Sequence, residues 1–239
     1  MRVLVFDTET SGLPPRGFYN KVSLSNVNLW PYIVQFSYVI YNTKLNSIEK
    51  LEDMIIKVPP HVKLNGESEK IHGITDEMNK TRGIPIEMAL KKFTSDIEHV
   101  DSVVGHNLDF DMNMVRAEWF RLISNKEKAH RINDIYVTFL TNLKEKKCIC
   151  TMQTNIERCN IKATSAKGKE YTKWPTLAEL HKHLYDCAPA NLHNSLIDVI
   201  ACLRCYIAII SDVDVLRKCN IAREVMGDAI LIETEDGCV

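Results

Sequence analysis

Carboxylates and a histidine stand in three short blocks: Phe6-Asp7-Thr8-Glu9-Thr10-Ser11-Gly12-Leu13, Gly105-His106-Asn107-Leu108-Asp109-Phe110-Asp111 and His193-Asn194-Ser195-Leu196-Ile197-Asp198. Each block adjoins an apolar run, so each carries acids to the edge of a folded core. Acids gathered at such a place repel one another, and a divalent cation is the simplest remedy. Two cations clamping a phosphodiester is a route to hydrolysis. The chemistry these residue types support is therefore metal-dependent phosphodiester cleavage.

Each block taken alone has an ordinary reading as well. Asp7 and Glu9 are two apart, which on a strand puts both on one face. They could equally mark a solvated strand end. In the second block Asp109 and Asp111 compete. Asp109 suits the N-cap of a helix starting at Phe110, and Asp111 gains from the macrodipole in the first turn. Asn107 could touch a phosphate or sugar, or hold the turn. In the third block Ser195 is the expected helix cap, which puts Asp198 in the first turn and His193 on the preceding loop. A loop imidazole can take a proton from water near neutral pH. The other seven histidines, His61, His72, His99, His106, His130, His181 and His183, read as structural.

The elements that must position these blocks follow from hydrophobic period. Strands are expected at Val3 to Phe6, Ile33 to Tyr41 and Glu52 to Val58, close enough for an antiparallel meander. Ile86 to Val100 has helical period, Ser102 to Gly105 is a brief strand, and Asp111 to Leu122 is a second amphipathic helix. A fifth strand is expected at Cys148 to Thr151. Helices are expected at Thr176 to Tyr185, Ser195 to Ile210 and Val213 to Val225. Strands first, then strands alternating with helices, predict an α/β fold with a mixed sheet.

At 239 residues and 45% hydrophobic, the chain can bury one good core, so one domain over 1–239 is expected. A net charge of −1 excludes a global basic field, leaving nucleic-acid binding to local patches and metal. The acid at Asp7 interrupts any signal-peptide core, and no run has the ~18 apolar residues of a membrane span. The eight cysteines then read as free thiols in an intracellular, reducing compartment, cytoplasm or nucleus. Cys202 and Cys205 fall at core spacing on a helix, which disfavours a structural zinc site with Cys148 and Cys150. Pro14 to Pro31, with Arg16, Phe18, Tyr19, Lys21 and Trp30, reads as a surface loop with a composition suited to single strands. Asn160 to Trp174 reads as a basic mobile loop or phosphate-binding flap, and Glu233 to Val239 as an acidic, frayed end.

Jointly the blocks match one pattern. The chain resembles the DEDDh-type 3′→5′ exonucleases, which include the proofreading epsilon subunit of bacterial DNA polymerase, ribonuclease T, oligoribonuclease and the three-prime repair exonucleases. The family motif D-x-E falls on Asp7 and Glu9. H-N-x-x-F-D runs from His106 to Asp111, which assigns Asp111 rather than Asp109. H-x(4)-D falls on His193 and Asp198. Ile71-His72-Gly73-Ile74-Thr75-Asp76-Glu77 and Trp174-Pro175-Thr176-Leu177-Ala178-Glu179-Leu180 resemble further family segments. The resemblance covers about residues 1–210.

It implies a ribonuclease H-like fold, a five-stranded mixed sheet flanked by helices, and two divalent cations, Mg²⁺ or Mn²⁺. Asp7 would bridge both ions, with Glu9, Asp111 and Asp198 completing their shells and His193 deprotonating the water. Thr8, Leu13, Asn107 and His72 are the candidate substrate-binding residues, with Leu13 as a wedge against the terminal base. The implied partner is a single-stranded or frayed 3′ end, with release of 5′-mononucleotides. Competing readings are a catalytically dead binding module, an exoribonuclease, and a proofreading subunit partnered with a DNA polymerase. All five site residues are present, which argues against the first. The segment after Ser211 offers no clear partner-binding tail.

Overall fold

The computed structural model describes residues 1–14, 21–64, 66–125 and 129–230, with side chains to residue 227. Arg16, Phe18, Tyr19 and the acidic end Glu233 to Val239 lie outside these. Strands β1 (Arg2–Thr10), β2 (Ile33–Asn42), β3 (Ser47–Ile55), β4 (Ser102–Gly105) and β5 (Lys147–Cys150) form one sheet in the order β3-β2-β1-β4-β5. The first three pair as an antiparallel meander, and β4 and β5 join parallel to β1.

Alternation along β1 divides the core. Leu4 and Phe6 face one layer, with helices α3 (Ile86–Glu98), α4 (Leu108–Ser124) and α5 (Ala129–Lys144). Val3 and Val5 face the other, against α9 (Ser195–Ser211), whose Val199, Ile200, Leu203 and Ile207 are buried there. A strand covered on both faces reads as a continuous apolar run, which is what Val3 to Phe6 is.

Several boundaries differ from expectation. β3 starts earlier and ends before Val58, because Asn46 takes a left-handed φ of 51° and turns the chain directly into pairing at Asn42–Ser47. α4 starts at Leu108 rather than Asp111. Asn107, at φ 64°, turns the chain into it, so Asp109 is not the cap. Asp109 lies in the first turn, exposed, and accepts from Gln153 Nε2 at 3.1 Å. Asn194, not Ser195, caps α9, its Oδ1 accepting from the Leu196 and Ile197 N–H groups. The last expected helix is two, α10 (Val215–Lys218) and α11 (Asn220–Ile230), divided at Cys219.

Elements also occur where none was expected: α1 (Gly66–His72), α2 (Asp76–Arg82), α5, the short α6 (Thr151–Thr154) and α7 (Ile156–Cys159), and a hairpin of β6 (Lys162–Thr164) and β7 (Glu170–Thr172). The hairpin lies within Asn160 to Trp174, the stretch expected as a basic mobile loop or a phosphate-binding flap. α8 (Leu177–Tyr185) follows it, begun by a capping box between Thr176 and Glu179. Among the described residues six cysteines are free, while Cys187 is disulfide-bonded, a correction to the expectation of free thiols throughout. Among the described residues no helix is long and apolar enough to cross a membrane.

Candidate active site

β1 outruns its neighbour. It pairs with β4 only over Val3–Val5, whereas its pairing with β2 continues to Thr10. Beyond Val5 one edge of β1 is therefore uncovered, and the chain after β4 turns away into α4. Gly105 makes that turn close: a Cβ there would lie 3.0 Å from Leu108 Cδ1. The opening is a cleft of about 980 Å³ at the carboxyl ends of β1 and β4. Clefts of this kind are where open α/β sheets bind ligands. Asp7 and Glu9 lie within the strand, two and four residues past Val5, and not at its end as expected.

The two-residue period decides which acids meet. Asp7 and Glu9 share the parity of Val3 and Val5, so they face α9. There they meet Asp198, and one ligand atom from each of the three lies within 4.8 Å of the others. Thr8 shares the parity of Leu4 and Phe6 and faces α4. Its N–H and hydroxyl donate to Asp111 Oδ1 at 3.1 and 2.7 Å. Asp111 thus enters the same cleft from the opposite helix, with one oxygen held by Thr8. Thr8, expected at the substrate, is buried and aims both donors at Asp111. This placement supports a positioning role.

The third block is docked by two contacts. The Ser195 hydroxyl donates to the Asp7 carbonyl at 2.8 Å, and its N–H donates to Gln35 Oε1 at 3.3 Å. Gln35 is itself held by donating to Asp53 Oδ1 at 2.8 Å. His193 is exposed at the cleft, with φ 74°, and its N–H donates to Asp198 Oδ2 at 3.1 Å. Histidine is among the few non-glycine residues that tolerate this backbone region.

Burial first, then mutual repulsion, raises the pKa values of the acids. Glu9 is pushed up to about 8, by burial and by Asp198 and Asp111. Asp7 is raised well above the carboxylate range, by burial and then by Asp111, Asp198 and Glu9. Asp111 and Asp198 rise to about 7, burial outweighing the hydrogen bonds from Thr8 and His193 that favour their charged forms. Among the described lining residues, Lys173 is the one Lys or Arg, and its ammonium is bound to Glu179 Oε1 at 2.6 Å. Asp198 Oδ1 is buried without a hydrogen-bond partner. An orphaned carboxylate oxygen, beside two further acids with no free cation, fits a hard divalent ion.

These shifts make stability depend on pH. Between the ordinary carboxylate pKa of ~4 and about 8, the folded metal-free protein holds protons that the unfolded chain has released. Its stability therefore falls as pH rises through that window. Mg²⁺ at about a hundredfold excess over its Kd should add about 2.7 kcal/mol, roughly 5–10 °C in a chain of this size. Thermal melts should show a larger gain at pH 8 than at pH 5, where protons compete for the same oxygens. Equal gains at both would exclude this cluster as the ligand set.

Other expected residues are distributed unevenly. Leu13 lines the cleft and is 79% exposed. Asn107 lines it too, on the turn into α4. His72 is not among the lining residues; it is buried, and its Nδ1 accepts from the Ile74 N–H at 3.0 Å, ordering its own turn. His106, read as structural, is a link between walls. Its Nε2 lies 3.1 Å from the Pro175 carbonyl and its Nδ1 2.9 Å from Thr151 Oγ1. A carbonyl only accepts, so the proton sits on Nε2. Burial lowers the His106 pKa to about 4 and keeps it neutral. His106 thereby ties the segment Tyr171 to Thr176 against the second block. Trp174, 56% exposed, lines the cleft from that segment; the sequence marks it as part of a family-like segment but gives it no role at the substrate. Its signal was an aromatic residue at the edge of a basic stretch.

A mixed sheet of this order, with acids presented from β1, α4 and α9, defines a ribonuclease H-like nuclease domain. The chain belongs to the exonuclease family, whose model matches residues 4–206. This is the family of the DEDDh-type 3′→5′ exonucleases, and the acidic cluster accords with the divalent metals such enzymes use. Compared with curated protein sequences, the chain has no match. Among solved structures it is similar to Exonuclease I from Methylocaldum szegediense, at 17% identity over 90% of this chain and 42% of that one, with a TM-score of 0.56. It is also similar to E. coli Exonuclease I in complex with a dA16 oligonucleotide, at 15% identity over 88% and 41%, with a TM-score of 0.57. At such identities the likeness is one of fold. The chain spans about two fifths of the length of these proteins.

Proposed function

We propose that this chain is a single exonuclease domain, with its core over about residues 1–210, that removes 5′-mononucleotides from the 3′ end of single-stranded or frayed nucleic acid. The observation that carries this reading is the meeting of Asp7, Glu9 and Asp198 within 4.8 Å, with no free cation among the described residues around them. Two divalent ions, Mg²⁺ or Mn²⁺, would supply an activated water and stabilise the departing 3′ oxygen. Asp7, central among the acids, would ligate both; Glu9, Asp198 and the free oxygen of Asp111 would complete the shells. His193 stands exposed at the mouth, where its imidazole can accept the water's proton. Leu13 and Trp174 present apolar surface to the terminal bases. DNA is the favoured substrate, since the similar E. coli Exonuclease I binds a dA16 oligonucleotide.

The test is digestion of matched single-stranded DNA, duplex DNA and RNA, each with Mg²⁺ and with chelator. A 5′-labelled single strand should yield a ladder shortened one nucleotide at a time, abolished by chelator. Cleavage of a closed circle at a comparable rate would refute exonucleolytic action. RNA digested faster than DNA would reassign the substrate.

A further inference from the structure

A second cavity, of about 380 Å³, adjoins the acidic cleft and shares Asn107, Phe110, Met152 and Trp174 with it. Its remaining apolar walls are Pro14 and Trp30. Its other polar lining is Asp109, Asn113 and Gln153. Among the described residues it has no lysine or arginine, and Asp109 adds a carboxylate. Such a lining repels phosphate. Aromatic walls with amides and one acceptor carboxylate suit a flat neutral heterocycle.

A second observation points to a ligand. Asn113 is 95% buried on α4, yet its Oδ1 has no hydrogen-bond partner, and the same holds for Trp30 Nε1. An acceptor and a donor are thus left unsatisfied on two residues of one pocket. Buried polar groups are rarely left so. Asp109 Oδ2 is engaged by Gln153, which leaves Oδ1 as an acceptor.

We propose that this pocket seats a nucleobase from the last two positions of the bound strand, and that Asn113, with Asp109 and Gln153, reads its edge. The inference rests on the nuclease reading for its strand. The unpaired acceptors, Asn113 Oδ1 and Asp109 Oδ1, favour bases carrying an exocyclic amine, adenine, cytosine and guanine, over thymine. The strand's phosphates then lie toward the acids and their metal, while the base turns away between Trp174 and Phe110.

Binding is measured by anisotropy of 5′-labelled, phosphorothioate-linked single strands in Mg²⁺, with adenine, cytosine, thymine or an abasic residue at each of the last two positions. At one of them, adenine or cytosine should bind about tenfold tighter than the abasic analogue, with thymine between. Asn113→Ala should reduce the advantage over thymine to less than about twofold. Gln153→Ala, an exposed change that does not threaten folding, should reduce it in the same direction. Thermal melts confirm that both variants fold. Equal affinity for intact and abasic strands, a preference unchanged in both variants, or no strand binding at all overturns the proposal. Base-dependent binding without hydrolysis of ordinary strands would instead uphold the pocket and refute the catalytic reading.

Discussion

Asp7→Asn should abolish hydrolysis, with turnover falling at least about 10³-fold, on the order of 4 kcal/mol in barrier. The reason is position. Asp7 is the acid on which Glu9, Asp111 and Asp198 all act electrostatically, so it is the group best placed to serve two ions. The substitution keeps size and removes charge. It also removes a carboxyl whose ionised form is disfavoured first by burial and then by the neighbouring acids, so the metal-free variant should melt higher than the wild type at pH 8. Loss of activity together with a raised midpoint separates a chemical defect from a folding one. Full activity in Asp7→Asn would dismantle the proposed site. The same assay tests the second block: Asp111→Asn should be severe, and Asp109→Asn should spare kcat far more. The reverse order would mean that the wrong acid of the pair has been assigned.

His193→Ala should lower kcat by about 10²–10⁴-fold while leaving metal affinity largely intact. The geometry separates these roles. The link from His193 to the acids runs through its backbone N–H to Asp198, so truncating the side chain removes the imidazole and keeps that bond. Titration calorimetry of Mn²⁺ into the variant, beside single-turnover rates, reads both quantities. Lost metal affinity would place the imidazole among the ligands, and an unchanged rate would leave it with a purely structural place on its loop.

Much of this protein is local and therefore legible in its sequence. The D-x-E pair lies on one strand face because a two-residue period is written in the spacing itself, and Val3 to Phe6 announces a strand buried on both sides. The three blocks identify the family because their order and spacing are one-dimensional facts. α5 was also legible: Ile132, Ile135, Tyr136, Phe139 and Leu143 keep helical spacing. Asn133, Asp134, Thr138, Thr141 and Asn142 weaken the helical propensity of this stretch, and tertiary packing overrides them.

Other features depend on contacts between distant segments. That Asp111 answers Thr8, 103 residues away, while Asp198 answers Asp7 and Glu9, follows only when two helices cover opposite faces of one strand. That β1 outruns β4, and so opens a cleft at Asp7, is a matter of relative strand lengths in a sheet. His106 reaches across 69 residues to hold the wall bearing Trp174, and nothing in the spacing of a lone histidine announces that. The sequence by itself determined the chemical groups, the strand that carries two of them and the family. Only the tertiary structure decided which acids share an ion site, which wall faces them and where a base could lie, because burial and opposed faces are properties of packed layers and not of any one segment.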